Sequence, residues 1–266
     1  MAHKPFRADC RPLKLRNKET FVTMLRLKRP LLSSSPTLNL LTLAALLASA
    51  LATPSGALEV TAASEPLHHE GFHKDFSNAH RWSHKFDDKK RDSWQMPDQI
   101  LKALNLAGHE KVADLGAGTG YFSWRLAKLL PEGKVYAADS EKDMVKYLTT
   151  LARKRKLANL QALSVDSHAP SFPEKLDLIL VVNTYHHIDY RPEYFSKLKG
   201  YLNKDGKIVI IDFKKDAQIT DGPPQNMRID SRQTESEMQQ AGYKLKSSLD
   251  FLPRQYALIF QEDGAK

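Results

Sequence analysis

Cysteine is almost absent from this sequence: among 266 residues the only one is Cys10. Beyond residue 52 the chain therefore has no disulfide, no thiol nucleophile and no cysteine-based metal site. A chain without thiols is compatible with an oxidising compartment. Catalysis through a cysteine is excluded for the body of the chain.

The body of the chain also lacks an excess of charge of one sign. The net charge is +9, but residues 1–52 hold nine of the 40 basic side chains and only two of the 31 acidic ones. The basic excess therefore belongs to this leader and says little about a partner. The basic run 153–156 suits the C-terminal dipole of a helix, with a nucleic-acid contact as the alternative. The sequence thus contains no strong nucleic-acid signal.

The leader has no apolar run of membrane-spanning length. Its run 38–51 has 14 residues, whereas a span needs roughly 20. Basic residues at 26–29 precede this run and Ala50-Leu51-Ala52 ends it, which is the order of a secretory signal peptide. We therefore expect cleavage after Ala52, with Met24 as an alternative start, and export to the periplasm or beyond. An uncleaved membrane anchor and an organellar transit peptide are the other interpretations.

Residues 53–96 are polar and rich in histidine and aromatic side chains. His69 and His73, like His80 and His84, have the i, i+4 spacing of one helix face, which raises metal binding as an alternative. No cysteine joins these pairs, and the nearby carboxylates form no recognised ligand spacing. We therefore expect no metal site, and instead a helical arm or lid packed by its aromatic side chains.

The most informative stretch is 112–122, with the sequence VADLGAGTGYF. It predicts the end of a buried strand, a three-glycine turn and the start of a helix, because Phe122, Leu126 and Leu129 recur at helical spacing. The glycines permit positive φ and let backbone N–H groups approach a ligand. The helix start adds N–H donors and a partial positive charge. Such a turn suits a nucleotide-like ligand.

The glycine spacing separates two classes of ligand. Dinucleotide enzymes favour G-x-G-x-x-G, whereas here Gly116, Gly118 and Gly120 are evenly spaced and Asp114 stands two residues before them. This D-x-G-x-G-x-G pattern resembles motif I of the class I S-adenosylmethionine (SAM)-dependent methyltransferases. The resemblance implies a turn that passes around the amino-acid end of SAM. A tight strand–helix turn without a ligand is the alternative.

The rest of the chain alternates strands and helices. Strands are predicted at 111–114, 134–139, 160–165, 176–182, 207–213, 243–249 and 255–261, and helices include 97–106 and 234–241. The run 176–182 is nearly all apolar, as a parallel strand buried on both faces must be. The resemblance covers about 97–261, predicted as one methyltransferase domain, 97–266. It implies an α/β, Rossmann-like, seven-stranded, mostly parallel sheet with helices on both faces and an antiparallel last strand.

An acid ends the second predicted strand, Asp139, 25 residues after Asp114. A carboxylate there can accept hydrogen bonds from both hydroxyls of a ribose, which SAM and NAD share. Ser140 is predicted to cap the following helix. The resemblance places Met144 and Asp166 near the adenine. The full set of cofactor contacts expected on this basis is Asp114, Gly116, Gly118, Gly120, Tyr121, Asp139, Ser140, Met144, Asp166 and Asn183.

The segment after the fourth strand, 183–187, holds the candidate catalytic residues. Ligands of open α/β sheets lie beyond the carboxyl ends of the strands, near the switch point, so this segment should face cofactor and acceptor. Tyr185, His186 or His187 can take a proton from an attacking oxygen or nitrogen. Packing and loop shape are the alternative role. The Asn/Asp-Pro-Pro-aromatic signature of amino-methyltransferases is absent, which disfavours exocyclic amines of DNA bases.

The sequence therefore predicts a SAM-dependent methyltransferase acting on a small-molecule or lipid-like acceptor. A nicotinamide-dependent oxidoreductase is the first alternative, disfavoured by the glycine spacing. A non-catalytic SAM-fold binding protein is the second, favoured by export because SAM is made in the cytosol. The polar connection 214–231 is expected to form a wall of the acceptor site. The segment 81–97 resembles the one preceding the core in exported bacterial methyltransferase-like proteins.

Overall fold

The computed structural model describes residues 76–220 and 222–264. The predicted signal peptide, 1–52, and the first part of the predicted arm, 53–75, lie outside the described residues. No helix within the described part of the chain is long and apolar enough to cross a membrane.

Seven strands form one sheet in the order β3-β2-β1-β4-β5-β7-β6. The pairings β1–β2, β1–β4, β2–β3 and β4–β5 are parallel, whereas β7 is antiparallel to both of its neighbours. The predicted mostly parallel sheet with an antiparallel last strand is thus confirmed. The strands are β1 Lys111–Leu115, β2 Lys134–Asp139, β3 Leu160–Ser164, β4 Leu176–Val182, β5 Leu202–Phe213, β6 Tyr243–Ser248 and β7 Gln255–Glu262.

Helices cover both faces of this sheet. In the described residues they are α1 Ala79–Phe86, α2 Asp92–Gln95, α3 Pro97–Leu104, α4 Ser123–Leu129, α5 Lys142–Lys154, α6 Arg191–Leu198 and α7 Ser231–Gln240. The described part of the predicted arm therefore contains α1 and α2, joined by a 3₁₀ turn, Lys89–Arg91.

The two faces of the sheet pack into two separate apolar cores. Successive side chains of β4 alternate between them, as strand geometry requires: Ile179 and Val181 lie in one core and Leu178 and Leu180 in the other. All four are essentially inaccessible to solvent. This two-sided burial is the reason that the sequence of β4 is a continuous apolar run.

Several predicted boundaries were wrong. β5 begins at Leu202 rather than Lys207, because an irregularity in its pairing with β4 absorbs the polar residues that resembled a turn. The last helix begins at Ser231 rather than at 234, since Asp230 caps it. Ser140 does not cap α5: the N-cap position is Glu141.

Candidate functional site

The three glycines of the turn after β1 all have positive φ, but for different reasons. A Cβ on Gly116 would lie 2.3 Å from Oγ1 of Thr184, and one on Gly120 would lie 2.7 Å from Leu151. The packing of the protein alone therefore requires glycine at these two positions. A Cβ on Gly118 would meet only the Phe86 ring, at an ordinary 3.5 Å. Of the three glycines, Gly118 is thus the one at which no clash with a protein atom accounts for the missing side chain.

Asp139, at the end of β2, contacts the glycine turn directly. Its Oδ2 accepts a hydrogen bond from the backbone N–H of Gly118 at 2.8 Å, and its Oδ1 accepts one from Glu141 at 2.9 Å. Burial raises the pKa of this carboxyl, against the effect of the backbone donors. An ionised carboxylate has about four acceptor positions. These two backbone bonds do not use all of the positions, so Asp139 retains capacity to accept from a ribose hydroxyl.

Asp114, at the end of β1, lies behind the turn. It is 3% exposed and accepts a hydrogen bond from Ser123 Oγ at 2.5 Å. Burial raises its pKa to about 6, while Ser123 and the Arg91 guanidinium act in the opposite direction. The carboxyl therefore joins β1 to the start of α4, and the cofactor contact expected of Asp114 stays a prediction.

Tyr121 connects the turn to the arm. Its hydroxyl donates a hydrogen bond to Asp92, and its ring lies between the guanidinium groups of Arg91 and Arg125, 3.9 and 4.1 Å from the ring centroid. Cations at such distances are attracted to an aromatic ring. The side chain expected to contact the cofactor thus anchors α2.

The remaining residues expected to contact the cofactor after β2 and β3 occupy different surroundings. Met144, expected near the adenine, is 1% exposed on the inner face of α5, whereas Ser140 is exposed. The Asp166 side chain is 66% exposed and accepts backbone hydrogen bonds from His168 and Ala169. These donors lower the pKa of Asp166. The neighbouring Val165 donates its backbone N–H to the backbone carbonyl of Asp139. The loop that carries Asp166 therefore lies beside the end of β2.

Asn183, directly after β4, belongs to a closed ring of three amides. Its Nδ2 donates to Gln95 Oε1 at 3.3 Å, Gln95 Nε2 donates to Gln255 Oε1 at 2.5 Å, and Gln255 Nε2 donates back to Asn183. Gln95 and Gln255 are completely buried. Asn183 also has φ +55, a left-handed conformation that asparagine tolerates better than most residues. The ring joins the arm, β4 and β7 at one point.

Tyr185 is fully buried, and its hydroxyl donates to Glu237 at 2.6 Å. Arg191 binds both oxygens of the same carboxylate, at 2.7 and 2.9 Å. Burial and the Glu237 charge raise the pKa of Tyr185 far above its usual value. The Tyr185 hydroxyl is thus engaged by Glu237, and the catalytic role expected of Tyr185 stays a prediction.

The two histidines of the segment have different partners. The Nδ1 atom of His186 lies 2.9 Å from both carboxylate oxygens of Asp212, at the end of β5, and its backbone N–H donates to the same group at 3.1 Å. His187 packs edge-on against the Phe76 ring, with centroids 5.2 Å apart. The two imidazole centroids are 4.1 Å apart.

The arm covers the turn and the β4 segment. Phe76, Trp82 and Phe86 form one half-buried aromatic cluster, with centroid distances of 5.1 to 6.1 Å. Asp87 accepts from Thr119 Oγ1 at 2.7 Å, and the backbone N–H of Asn78 donates to Asp143, at the start of α5. The arm thus has contacts at both ends of the proposed cofactor site. That residues 53–96 form an arm or lid packed by its aromatic side chains stays a prediction.

His80 and His84 of the arm contact each other, with ring centroids 5.4 Å apart. Among residues 76–220 and 222–264, no group of three or more histidine, cysteine, aspartate or glutamate side chains is arranged to hold a metal ion. Both rings lie on the exposed face of α1.

The connection after β5 is organised around one buried cation. Arg228 is 5% exposed and donates to the carbonyls of Pro223, Ala217 and Ile219. These residues border a polar cavity of about 310 Å³ within the connection. Three carbonyls of the connection, on both sides of residue 221, are thus bound to one side chain.

Sequence reasoning missed several residues that complete the site. Gln95 and Asp87 lie in the segment 81–97 noted for its resemblance, but neither was expected in the site. Gln255 carries no motif, and its contact with Gln95 joins positions 160 residues apart. Asp212 was recognisable as an acid ending a strand, but its imidazole partner was not.

Comparisons with known proteins bear on this arrangement. Residues 106–255 match the family described as a methyltransferase domain. Among curated proteins, (S)-coclaurine N-methyltransferase of Thalictrum flavum subsp. glaucum is 29% identical over 129 residues, which is 46% of this chain and 36% of that protein. Malonyl-[acyl-carrier protein] O-methyltransferase 2 of Ilyobacter polytropus is 26% identical over 105 residues, 40% of each chain. The chain thus spans less than half the length of these two relatives.

Solved structures agree on the fold. The crystal structure of a SAM dependent methyltransferase from Aquifex aeolicus superimposes with a TM-score of 0.64 at 24% identity, covering 71% of this chain and 98% of that one. At this identity the likeness concerns the fold of the chain.

Proposed function

The chain belongs to the methyltransferase-domain family of class I SAM-dependent methyltransferases, and on this premise we propose that it binds SAM at the glycine turn after β1 and transfers its methyl group to an acceptor. The observation that carries the proposal is the contact between Gly118 and Asp139. It joins a backbone surface free of Cβ to a carboxylate with unused acceptor positions, at the switch point of the sheet.

The described residues fit SAM at three places. The unused acceptor positions of Asp139 suit the ribose hydroxyls, and the buried Met144 offers an apolar contact to the adenine. Gly118 lets the backbone approach the amino-acid end, because no Cβ intervenes. When bound, SAM supplies an electrophilic methyl group on its sulfonium. The protein's own task is to orient an acceptor in line with that methyl group and to exclude water.

We assign the exclusion of water to the arm, and describe it as a cover over the cofactor site. Phe76 and Phe86 extend from the β4 segment to Gly118, and Asp87 fastens the end of α1 to the turn. The acceptor is proposed to be a small or lipid-like molecule that enters between this cover and the connection after β5. One of the two curated relatives is named as an N-methyltransferase and the other as an O-methyltransferase. Because they differ, we assign neither acceptor atom to this chain from its relatives.

Calorimetric titration of the purified chain with SAM, S-adenosylhomocysteine and NADH tests the proposal. We expect saturable binding of the first two and none of NADH. Mass spectrometry of the protein purified from its own compartment should also detect retained SAM or S-adenosylhomocysteine. Binding of NADH without SAM would support the oxidoreductase instead, and binding of neither would refute the proposed function.

A further inference from the structure

The pair His186–Asp212 has the geometry of an oriented general base. The carboxylate accepts from the His186 ring and from the His186 backbone, and it also accepts from the backbone of Phe213 at 2.7 Å. The side chains of His186 and Asp212 are 3% and 1% exposed. These donors fix the carboxylate, and the carboxylate in turn fixes the ring.

The carboxylate also determines which ring nitrogen carries the proton. An ionised carboxylate only accepts hydrogen bonds, so the Nδ1 atom beside it must carry a proton. In the neutral imidazole, Nε2 is then the basic nitrogen. Within the described residues, no hydrogen-bond partner occupies Nε2 of His186. The ring is therefore oriented so that its free lone pair faces away from Asp212.

The position of the pair in the fold connects it to methyl transfer. His186 lies four residues after the end of β4. Asp212 is the second-last residue of β5, which ends at Phe213. Both are at the carboxyl edge of the sheet, where β4 is the direct neighbour of β1 and its glycine turn, and β5 is the next strand beyond β4. Of the three candidate bases, Tyr185 is held by Glu237 and His187 packs against Phe76, which leaves His186 as the one with an orienting carboxylate.

We infer that His186 is the catalytic base, that Asp212 is its positioning residue, and that the acceptor is consequently a protic nucleophile, with an O–H or N–H that loses its proton during transfer. The inference rests on the proposed function. The acceptor atom forms a bond to the methyl carbon while the carbon–sulfur bond breaks and sulfur keeps the electron pair. The acceptor's proton passes to Nε2 of His186. The resulting imidazolium is paired with the Asp212 carboxylate, which holds no proton itself, as in other carboxylate–histidine pairs.

Chemical modification of the full chain tests this without knowledge of the acceptor. Diethylpyrocarbonate reacts with unprotonated imidazole nitrogens, and peptide mass spectrometry gives a rate for each histidine. We expect His186 to react in the folded protein and S-adenosylhomocysteine to slow that reaction about tenfold. Asp212→Asn should slow it about fivefold, because the wrong tautomer then becomes populated. The exposed His168 serves as the control, and its rate should not change.

A second measurement covers the case in which Asp212→Asn fails to fold. Long-range ¹H–¹⁵N spectra of the parent protein labelled in histidine should show His186 protonated at Nδ1 only, with an Nε2 signal that moves on addition of S-adenosylhomocysteine. A His186 that is inert to the reagent in the folded chain, or whose Nε2 signal ignores the ligand, would make the pair purely structural. Failure of S-adenosylhomocysteine to bind in calorimetry would instead refute the proposed function.

Discussion

The backbone N–H of Gly118 donates to the carboxylate of Asp139 at 2.8 Å, across 21 residues of sequence. The same carboxylate accepts from Glu141, at the start of α5. The acid expected to bind a ribose is thus also the group that holds the middle of the glycine turn. Ligand binding and local structure are therefore coupled at this residue, and variants of it must be examined for both.

Replacement of Asp139 by alanine should weaken SAM binding by about 1.5–3 kcal/mol, as expected for lost hydrogen bonds to a charged group. Since two backbone N–H groups lose their acceptor, the free energy of unfolding should also fall, by about 1–3 kcal/mol. The sequence alone does not reveal these donors. Calorimetry and urea unfolding measure the two effects. An unchanged SAM affinity in folded Asp139→Ala would remove this residue from the site.

Replacement of Gly118 by alanine should weaken SAM binding at least tenfold, about 1.4 kcal/mol. The added methyl has room within the protein, so it should collide with the ligand's amino-acid arm, at a modest cost from the positive φ. Gly108 lies outside the turn but is unsuitable as a control, because its φ is +104. Gly200 has no neighbour within 4 Å of an added Cβ, and Gly200→Ala should bind SAM normally. Melting temperatures identify variants that fail to fold.

The pH dependence of stability should report the buried Asp114. Burial raises its folded pKa to about 6, above the value of about 3.9 for an unfolded chain. Between these values the folded state binds more protons, so the contribution of Asp114 to the free energy of unfolding falls as pH rises. Asp114→Asn should therefore gain stability relative to the parent, by about 2–3 kcal/mol between pH 4 and pH 7. Asp205→Asn, at an exposed position, is the control. If the free energy of unfolding of Asp114→Asn depends on pH in the same way as that of the parent, the raised pKa of Asp114 is contradicted.

The predicted leader gives a direct test of export. The order of basic residues, apolar run and small residues predicts that the native protein begins at Thr53. N-terminal sequencing of protein isolated from its own compartment measures this. A native protein that retains Met1 or Met24 would contradict cleavage and favour the membrane-anchored alternative.

Patterns local in sequence predicted most of the fold. The bounds of β2 and β4 agree with the prediction residue for residue, because burial on both faces leaves a continuous apolar run between turn signals. The start of β5 was missed, since Asn203 and its neighbours have the composition of a turn. There, pairing with β4 and the hydrogen bond from Asn203 to Asp177 override local preference.

The site was predictable only where a motif is local. The glycine turn and Asp139 follow from spacing. The partners of Tyr185, His186 and Asn183 do not, because each lies between 26 and 88 residues away along the chain. In the sequence, Tyr185 and His186 are both simply polar residues that follow a strand. In the structure, Tyr185 is hydrogen-bonded to Glu237 and His186 to Asp212. Only the packing of α7 and β5 against that segment distinguishes their chemistry.

The amide ring provides the last prediction, on the coupling of arm and site. Gln255→Met keeps the approximate volume of the side chain but removes both of its hydrogen bonds. Gln95 then loses an acceptor and Asn183 a donor in a buried location, and each orphaned group costs about 1–3 kcal/mol. We expect the free energy of unfolding to fall by about 2–4 kcal/mol.

The same substitution should loosen the arm. Gln95 ends α2 and also accepts from Arg91, so backbone amides of 79–95 should exchange hydrogen faster in Gln255→Met while those of β4 remain protected. SAM affinity should fall because Asn183, directly after β4, loses one of its two amide partners. Gln99→Met, on the exposed face of α3, is the matched control and should change none of the three. If Gln255→Met keeps the parent's stability and arm protection, the ring does not couple the arm to the site.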